Sequence, residues 1–173
     1  MQIREASEAD RAALAALHHA AFGAEGAIVA ELALALLDDP SAQPLVALVA
    51  ETSAGIIGSA IFSAARINGA ERLAAAILSP LAVAPAYQRR GVGRTLIEHG
   101  ISRLREAGVD LVFVLGNPRY YGRYGFRAQH AVSAPYQLAH PDAWMALALR
   151  PAALTAASGV LRCADALHKP ELW

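Results

Sequence analysis

The string QRRGVG at residues 88–93 places two glycines and two arginines at the start of a segment with helical periodicity. The first backbone N–H groups of a helix have no partners within it and point outward with the positive end of the helix dipole. Gly91 and Gly93 have no Cβ atoms, so a phosphate group can come within hydrogen-bonding distance of the backbone. Three arginines add cationic donors that suit phosphate oxygens, namely Arg89, Arg90 and Arg94. The sequence therefore predicts an anion cradle at this helix start.

A second segment whose residues could take part in a reaction is NPRYYGRYGF, at residues 117–126. Asn117 can cap a short helix that begins with Pro118 and runs to about Tyr124. On such a helix Tyr120 and Tyr124 share a face, whereas Tyr121 is turned by about 100° from them. The string therefore presents the phenol of Tyr121 on a face of its own, whereas Tyr120 and Tyr124 are expected to pack in the core or line the pocket.

Apolar periodicity predicts the elements that position these two strings. The cradle opens a helix over residues 91–107 that ends at Gly108, and it follows a strand over residues 73–83. The continuous apolar run at residues 111–115 predicts a strand covered on both faces. Further strands are predicted over residues 3–5, 45–50, 56–64, 126–129, 143–149 and 160–162, with Asn68-Gly69 as a hairpin turn.

Two helices are predicted near the N-terminus. Ser7 caps the first, which turns Leu14, Leu17 and Phe22 inward, and the second spans residues 27–37 with Ile28, Leu32 and Leu36 on one stripe. His18 and His19 are expected to face solvent or the edge of the cleft. The order of the elements suggests one mixed α/β sheet with helices packed on it.

Composition excludes several classes of function. The 173 residues suffice for one domain with a hydrophobic core, and the 15 basic and 15 acidic residues leave no surplus charge to attract nucleic acid or an anionic membrane. The longest stretch without charged residues, 73–88, is too short to span a bilayer and contains Pro80 and Pro85. Cys163 is the only cysteine and the N-terminus lacks a signal-peptide layout, so we expect a cytoplasmic protein.

The two strings together resemble motifs of the GCN5-related N-acetyltransferases, the GNAT superfamily. Residues 88–93, preceded by Leu81-Ala82-Val83 and followed by Thr95-Leu96-Ile97, are similar to the acyl-CoA-binding motif of that family. Tyr121 lies four residues before Gly125-Phe126, as in a later motif of the family. The sequence of residues 116–121 is similar to that of the YhbS-like predicted acetyltransferases. The resemblance covers at least residues 3–149.

The resemblance implies a GNAT domain over residues 1–150 and a C-terminal extension over 151–173 that adds a strand. The implied fold is a mixed, mostly antiparallel sheet of about six or seven strands flanked by about four helices, with splayed central strands. The implied activity is transfer of an acetyl group from acetyl-CoA to an amine by direct attack, with no metal. A small-molecule or peptide amine would be the acceptor, and the oligomeric state stays open, a homodimer included.

The resemblance also implies roles for particular residues. The pantetheine arm enters the gap between the splayed strands and pairs with the backbone of Leu81 and Val83, where one N–H polarises the thioester carbonyl, a contact worth about 3 kcal/mol in other enzymes. Tyr121 protonates the departing thiolate, which is reasonable because a phenol with a pKa of about 10 can donate to a thiolate held within reach. The implied coenzyme-binding residues are Leu81, Ala82, Val83, Gln88, Arg89, Arg90, Gly91, Val92, Gly93, Arg94, Thr95, Asn117 and Tyr121, with the amides from Arg89 to Thr95 holding the diphosphate.

No general base can be named from the sequence. Residues 73–83 contain no carboxylate, and the candidates Glu51, Glu71, His130 and His140 are more typical of solvated or packed positions, which leaves a water relay or a neutral amine open. A non-catalytic acyl-CoA-binding module or assembly subunit of the same fold is therefore the main alternative, and a nucleotide-phosphate binder is a third. Cys163 and His168 form one pair without the further ligands that a metal site needs, so no metal site is predicted.

Overall fold

A computed structural model describes all residues of the protein, 1–173. The strands are β1 (Gln2–Glu5), β2 (Val46–Thr52), β3 (Gly55–Asn68), β4 (Ala75–Val83), β5 (Leu111–Leu115), β6 (Ala131–Ser133), β7 (Trp144–Ala148) and β8 (Ser158–Arg162). The helices are α1 (Arg11–Phe22), α2 (Gly26–Asp38), α3 (Val92–Glu106) and the single-turn α4 (Pro118–Tyr121) and α5 (Ala153–Ala156). The mixed α/β fold predicted from the sequence is confirmed.

The central sheet has the strand order β1-β2-β3-β4-β5-β7, and all of these neighbours are antiparallel except β4 and β5. The parallel pairing of β4 with β5 covers only Ala75–Ile77 against Leu111–Phe113. Beyond Ile77, β4 continues to Val83 without a partner on that side. The central strands therefore splay as expected, and the gap between them exposes one edge of β4.

Helices cover both faces of the sheet. On one face α1 packs against β3 and β4 and α2 packs against α1 and β4, with Leu32 and Leu36 of α2 in the buried core. On the other face α3 packs Leu96 and Ile97 in one cluster with Phe62 and Val112. Gly100 allows α3 to lie close to β3, because a Cβ atom at this position would collide with the ring of Phe62. This close contact fixes the start of α3 beside the end of β4.

Three expectations about local structure are wrong, and a fourth is confirmed with a longer loop. Residues 126–129 are not a strand but make a single bridge, Arg127 to Ala146, because the chain has just left the left-handed turn at Gly125. The turn expected at Asn68-Gly69 is present, since the Ala70 N–H donates to the Ile67 carbonyl at 3.0 Å and β3 pairs antiparallel with β4. The connection is longer than a tight hairpin, because Arg66–Asn68 pair with β8 and residues 69–74 lead back to β4. Ile28 is 52% exposed although it was expected on the buried stripe of α2. His18 is fully buried, because it lies on the same side of α1 as Leu14 and Leu17.

Residues 151–173 pack onto the rest of the chain. The strand expected at 160–162 is present as β8, which pairs with β3 and β6. Buried side chains from this segment, including Leu161 and Leu167, join the core that α2 covers. The division at residue 150 stays a prediction.

One helical stretch, Glu8–Asp38, is long and apolar enough to cross a membrane by length and composition alone. The structure breaks this stretch at Gly23, whose φ of 55° lies in the left-handed region. The two halves are α1 and α2, which pack against each other and against the sheet.

Arg4 ties the N-terminal strand to the start of α1 and to β2. Its guanidinium donates to both carboxylate oxygens of Asp10, at 2.7 and 2.9 Å, and to Glu51 at 2.8 Å. Asp10 also accepts the backbone N–H of Ser7 at 2.7 Å. These hydrogen bonds hold the pKa of the Asp10 carboxyl far below its usual range, and the bonds from Arg4 have the largest effect.

We expect Asp10→Asn to lower the free energy of unfolding at pH 7 by about 2 kcal/mol, because a charge-assisted bond to a buried group is lost. A depressed folded-state pKa gives stability that is present above the unfolded pKa of about 3.9 and is lost as pH falls toward the folded value. Urea titrations at pH 7 and pH 3 measure this, and the variant should lose less stability on acidification than the wild type. The control Glu8→Gln removes an exposed partner of Arg11 and should change stability by less than about 1 kcal/mol. Equal effects of the two substitutions would contradict this account.

Candidate active site

The splay of β4 and β5 opens into a cleft of about 740 Å³. One wall comes from the end of β4, one from the start of α3 and the loop before it, and one from α4 and the turn after it. The lining residues are Leu81, Val83, Tyr87, Gln88, Arg89, Gly91, Val92, Gly93, Arg94, Tyr120, Tyr121, Arg123 and Tyr124. Both strings singled out from the sequence thus meet in one place.

The backbone at the head of the cleft is an unsatisfied set of donors. The N–H groups from Arg89 to Arg94 donate to no acceptor within the chain. Arg89 and Gly91 have φ angles of 59° and 86°, so the chain turns left-handed twice before α3 begins. Successive N–H groups in such alternating conformations form a concave anion-binding nest. The predicted anion cradle is therefore present in the structure, and its N–H donors have no partner within the chain.

The expected cradle extends one residue too far. The N–H of Thr95 donates to the carbonyl of Gly91 at 3.0 Å, and its hydroxyl donates to the same oxygen at 3.1 Å. These are the first contacts of the regular helix, so Thr95 has no backbone donor to offer a ligand. The prediction that the amides of residues 89–95 all hold a diphosphate is wrong at Thr95.

Arginines give this end of the cleft its positive charge. Arg89, Arg94 and Arg123 line it, although Arg94 is partly neutralised by Glu98 at 2.7 Å. Arg123 was not predicted, and it stands over the ring of Tyr120 at 5.4 Å from the ring centre. Arg90 was predicted but lies outside the lining, with its guanidinium 5.8 Å from the centre of the Tyr87 ring. An anion in the nest would face cationic groups from two elements.

The free edge of β4 forms the wall that leads away from the nest. Because Ala84 donates its N–H to the carbonyl of Ile57 on β3, the alternation of a strand turns the N–H groups of Leu81 and Val83 to the opposite side, toward the gap. The carbonyl of Val83 accepts the side-chain amide of Gln88 at 3.1 Å, which ties the nest to the strand. Ala82 faces the other way and is buried, so its side chain does not line the cleft, and its place among the coenzyme-binding residues stays a prediction.

Three tyrosines close the cleft opposite β4. The ring of Tyr120 makes edge contacts with Tyr121 and Tyr124, with ring centres 5.0 and 5.4 Å apart, and Tyr121 also contacts Phe126 at 5.8 Å. Tyr120 and Tyr124 line the cleft together with Tyr121, and Tyr124 does so from the 3₁₀ turn that follows α4 at Gly122. Burial raises the pKa of both Tyr120 and Tyr121, so both phenols keep their protons.

Asn117 does not line this cleft. Its side-chain oxygen accepts the N–H of Arg119 at 2.9 Å, as expected of a helix cap. The residue borders a second depression of about 540 Å³ together with Arg119, His140 and Asp142. The predicted contact of Asn117 with the pantetheine arm therefore finds no support in the placement of its side chain.

None of the carboxylates or histidines considered from the sequence is placed to act as a base in the cleft. Glu51 is bonded to Arg4, and Glu71 accepts the N–H of Gly69 at 2.9 Å. His130 approaches the carbonyl of Trp144 at 3.2 Å through Nε2 and accepts the N–H of Val132 at 3.3 Å through Nδ1, so its ring has no free lone pair. His140 is exposed beside the second depression. No group of three or more His, Cys, Asp or Glu side chains could hold a metal ion.

Gly93 sets the width of the cleft at its head, because a Cβ atom there would collide with the hydroxyl of Tyr120. We therefore expect Gly93→Ala to lower the free energy of unfolding by about 1–3 kcal/mol through overpacking. Tyr120→Phe removes the colliding oxygen, so the double variant should recover most of that loss in a urea titration. Additive effects of the two substitutions would contradict this contact.

Comparisons with known proteins agree with this geometry. Residues 2–128 match the family model described as "Acetyltransferase (GNAT) domain". The protein named "Uncharacterized N-acetyltransferase YjhQ" from Escherichia coli (strain K12) is 40% identical over 144 residues, which covers 79% of this chain and 78% of that protein. "Uncharacterized N-acetyltransferase YhbS" from the same organism is 39% identical over 80 residues, covering 46% of this chain and 47% of that protein.

Two solved structures share the whole architecture. The crystal structure of the Escherichia coli GNAT family N-acetyltransferase YhbS in complex with CoA superimposes with a TM-score of 0.87 at 27% identity, covering 97% of this chain and 92% of that one. A GNAT family acetyltransferase from Brucella melitensis in complex with acetyl-CoA gives 0.77 at 29% identity, covering 96% and 97%. The resemblance to GNAT and YhbS-like proteins is confirmed, and the chain belongs to the GNAT family of acetyltransferases.

Proposed function

We propose that this GNAT acetyltransferase transfers an acetyl group from acetyl-CoA to an amine, with the thioester lying along β4 and its diphosphate in the nest of residues 89–94. The observation that carries the proposal is the set of free N–H donors from Arg89 to Arg94 at the head of a cleft that opens onto the unpaired edge of β4. The two GNAT neighbours solved with CoA and acetyl-CoA support the choice of donor.

The residues present fit the three parts of acetyl-CoA. A diphosphate needs several convergent donors and positive charge, which the nest and Arg89 supply. A pantetheine arm carries amides, which can pair with the free edge of β4 as an added strand does. A thioester carbonyl needs an oxyanion donor, and the N–H groups of Leu81 and Val83 face the gap where it would lie.

The proposed chemistry is direct attack. The amine nitrogen adds to the thioester carbon, the oxygen of the tetrahedral intermediate takes a hydrogen bond from β4, and the carbon–sulfur bond then breaks. We assign Tyr121 as the acid that protonates the leaving thiolate, because its hydroxyl makes no hydrogen bond within the chain and its ring lies at the cleft between β4 and Phe126. For the acceptor we propose a small-molecule or peptide amine, because 15 basic and 15 acidic residues leave no surplus charge to attract a strongly charged macromolecule. The single cysteine, Cys163, supports the proposal of a cytoplasmic location.

Thermal melts with acetyl-CoA, CoA and ATP test the first half of the proposal. A ligand at 100 times its Kd stabilises the folded state by about 2.7 kcal/mol. We expect both coenzyme forms to raise Tm by several degrees, and ATP to raise it less because it lacks the pantetheine arm. Stabilisation by ATP alone would favour a nucleotide binder and contradict the proposal.

Thiol release tests the second half. Acetyl-CoA is incubated with a polyamine, an aminoglycoside, a dipeptide with a free N-terminus and a lysine peptide with a blocked N-terminus, and free CoA is measured with a thiol reagent. We expect at least one amine to accelerate CoA release in proportion to enzyme concentration, with the acetylated amine as the product. Coenzyme binding without release for any amine class would favour the non-catalytic module instead.

A further inference from the structure

Three buried polar atoms have no hydrogen-bond partner within the chain: Nε2 of His18 and the hydroxyl oxygens of Ser59 and Ser63. All three residues are at most 1% exposed. A buried polar group without a partner costs about 1–3 kcal/mol, so such groups normally bind ordered water or serve a function. The proposed function uses none of them.

The three atoms lie on the same side of the sheet. Residues of β3 alternate between faces, and Phe62 packs under α3 whereas Ile61 packs under α2. Ser59 and Ser63 therefore share the face of Ile61, which is the face that α1 and α2 cover. His18 is on the buried side of α1, which packs against α2, β3 and β4, so the imidazole lies in the interior on this side of the sheet.

The hydrogen bond at Nδ1 fixes the state of the imidazole. Nδ1 of His18 lies 2.7 Å from the carbonyl oxygen of Leu14. A carbonyl can only accept, so Nδ1 carries the proton and Nε2 presents a free lone pair. His18 is thus a neutral base whose basic nitrogen faces the interior.

Ser59 connects this layer to the cleft. It is the direct cross-strand partner of Ala82, which lies between the cleft-lining residues Leu81 and Val83. Directly opposed residues on neighbouring strands have Cβ atoms about 5 Å apart. The Ser59 hydroxyl therefore lies behind the stretch of β4 where the reacting thioester would sit. Ser63 is opposite Ile77, where β4 and β5 are still paired, and so lies away from the gap.

No charged group interferes with this layer. The stretch of β4 from Ala75 to Val83 and the stretch of β3 from Ser59 to Ser63 carry no titratable side chain. The charged residues on the elements that contact α1 are Glu8, Asp10, Glu25, Glu31, Asp38 and Arg66; Asp10 is bonded to Arg4 and the others are exposed. Burial lowers the pKa of His18, and the Leu14 carbonyl opposes this only in part, so the ring stays neutral at pH 7.

We propose that His18 Nε2, linked by ordered water to the Ser59 hydroxyl, is the base that receives the proton of the attacking amine. This inference rests on the proposed function. As the nitrogen–carbon bond forms, one proton leaves the amine through water and Ser59 to Nε2. As the carbon–sulfur bond breaks, Tyr121 gives one proton to sulfur. His18 then releases its proton to solvent while Tyr121 takes one from it, so both side chains return to their starting states.

Two variants with matched controls test the relay. His18→Gln keeps a hydrogen-bonding end near Nε2 but cannot take a proton, and Ser59→Ala removes the link with little change in shape. With acetyl-CoA and the fastest amine of the panel, we expect each to lower kcat about 100-fold, the lower end of what acid–base catalysis contributes, with the KM for acetyl-CoA unchanged. The controls His19→Gln, on the exposed side of α1, and Ser63→Ala, an equally buried serine away from the gap, should stay within about twofold of wild type.

The pH profile separates a base from a structural residue. In the wild type kcat should fall on the acid side with the apparent pKa of His18, below the ordinary value of about 6.5, and His18→Gln should remove this limb. Nitrogen-15 spectra of the histidine rings give a readout without turnover, and His18 should be protonated at Nδ1 and bare at Nε2 at pH 7.

Unchanged kcat and an unchanged acid limb in Ser59→Ala and His18→Gln would overturn the relay while leaving the proposed function intact. If His18→Gln does not fold, the kcat of Ser59→Ala and the nitrogen-15 spectra of the wild type still test the relay. A His18 ring that is protonated at Nε2 would overturn the proposal. Failure of the wild type to release CoA with any amine would instead overturn the proposed function itself.

Discussion

Gly91→Glu is expected to weaken acetyl-CoA binding at least about 100-fold, which corresponds to about 2.8 kcal/mol. Gly91 has a φ of 86° and open space around the position of a Cβ atom, so the new side chain has room to turn into the nest. Its carboxylate would then occupy the N–H donors of residues 89–94 and repel the diphosphate. Calorimetric titration with CoA measures the loss.

Two controls separate charge from backbone strain. Gly91→Gln introduces the same volume and the same strain without the charge, so it should bind CoA more weakly than wild type but clearly better than the glutamate variant. Gly55→Glu places the same residue at another left-handed glycine with open surroundings, φ 101°, the first residue of β3, and should leave CoA affinity unchanged. If the Gly91→Glu variant and the wild type bind CoA with equal affinity, the nest is not part of the CoA-binding site.

Tyr121→Phe is expected to lower kcat by about 100-fold while leaving the affinity for CoA within about twofold. The substitution removes only the hydroxyl that donates to the leaving thiolate and keeps the ring contacts with Tyr120 and Phe126. Because burial raises the pKa of Tyr121, the phenol stays protonated and able to donate across the neutral range and above it. Ionisation of Tyr121 should therefore cause no decline of the wild-type rate up to about pH 9.

The other two tyrosines of the aromatic cluster around Tyr121, Tyr120 and Tyr124, provide the comparison. Tyr124→Phe and Tyr120→Phe remove hydroxyls from the same aromatic cluster, and each should change kcat less than about fivefold if Tyr121 is the acid. A larger effect at Tyr120 than at Tyr121 would transfer the role of acid to Tyr120. Equal rates for all three variants would mean that solvent protonates the thiolate.

The site motif was readable from the sequence because its physics is local. A helix start with glycines leaves N–H donors free wherever it occurs. The segment was recognisable as a helix start because a strand ends at Val83 before it and helical periodicity follows it. The buried strand at Leu111–Leu115 and the amphipathic α3 were equally clear, since each carries a periodicity that does not depend on distant residues. Thr95 was misassigned because the sequence does not show at which residue the backbone hydrogen bonds of the helix begin; the first of them is made by the N–H of Thr95.

Features that depend on packing between distant segments were not readable. The position of the three tyrosines opposite β4 depends on how α4 and the 3₁₀ turn after it lie beside the start of α3, which a helical wheel does not show. The burial of His18 depends on how α1 lies on β3 and β4, and its polar ring gave no sequence signal for the core. Gly93 and Arg123 owe their importance to the approach of α4 to the start of α3, a contact between segments about 30 residues apart along the chain.

A crystal structure of the protein with CoA tests the central claim most directly. We expect the diphosphate oxygens to lie about 2.7–3.2 Å from backbone nitrogens of residues 89–94, with the pantetheine arm running along the free edge of β4 toward Tyr121. A coenzyme bound elsewhere, with no phosphate oxygen within hydrogen-bonding distance of those nitrogens, would contradict the account.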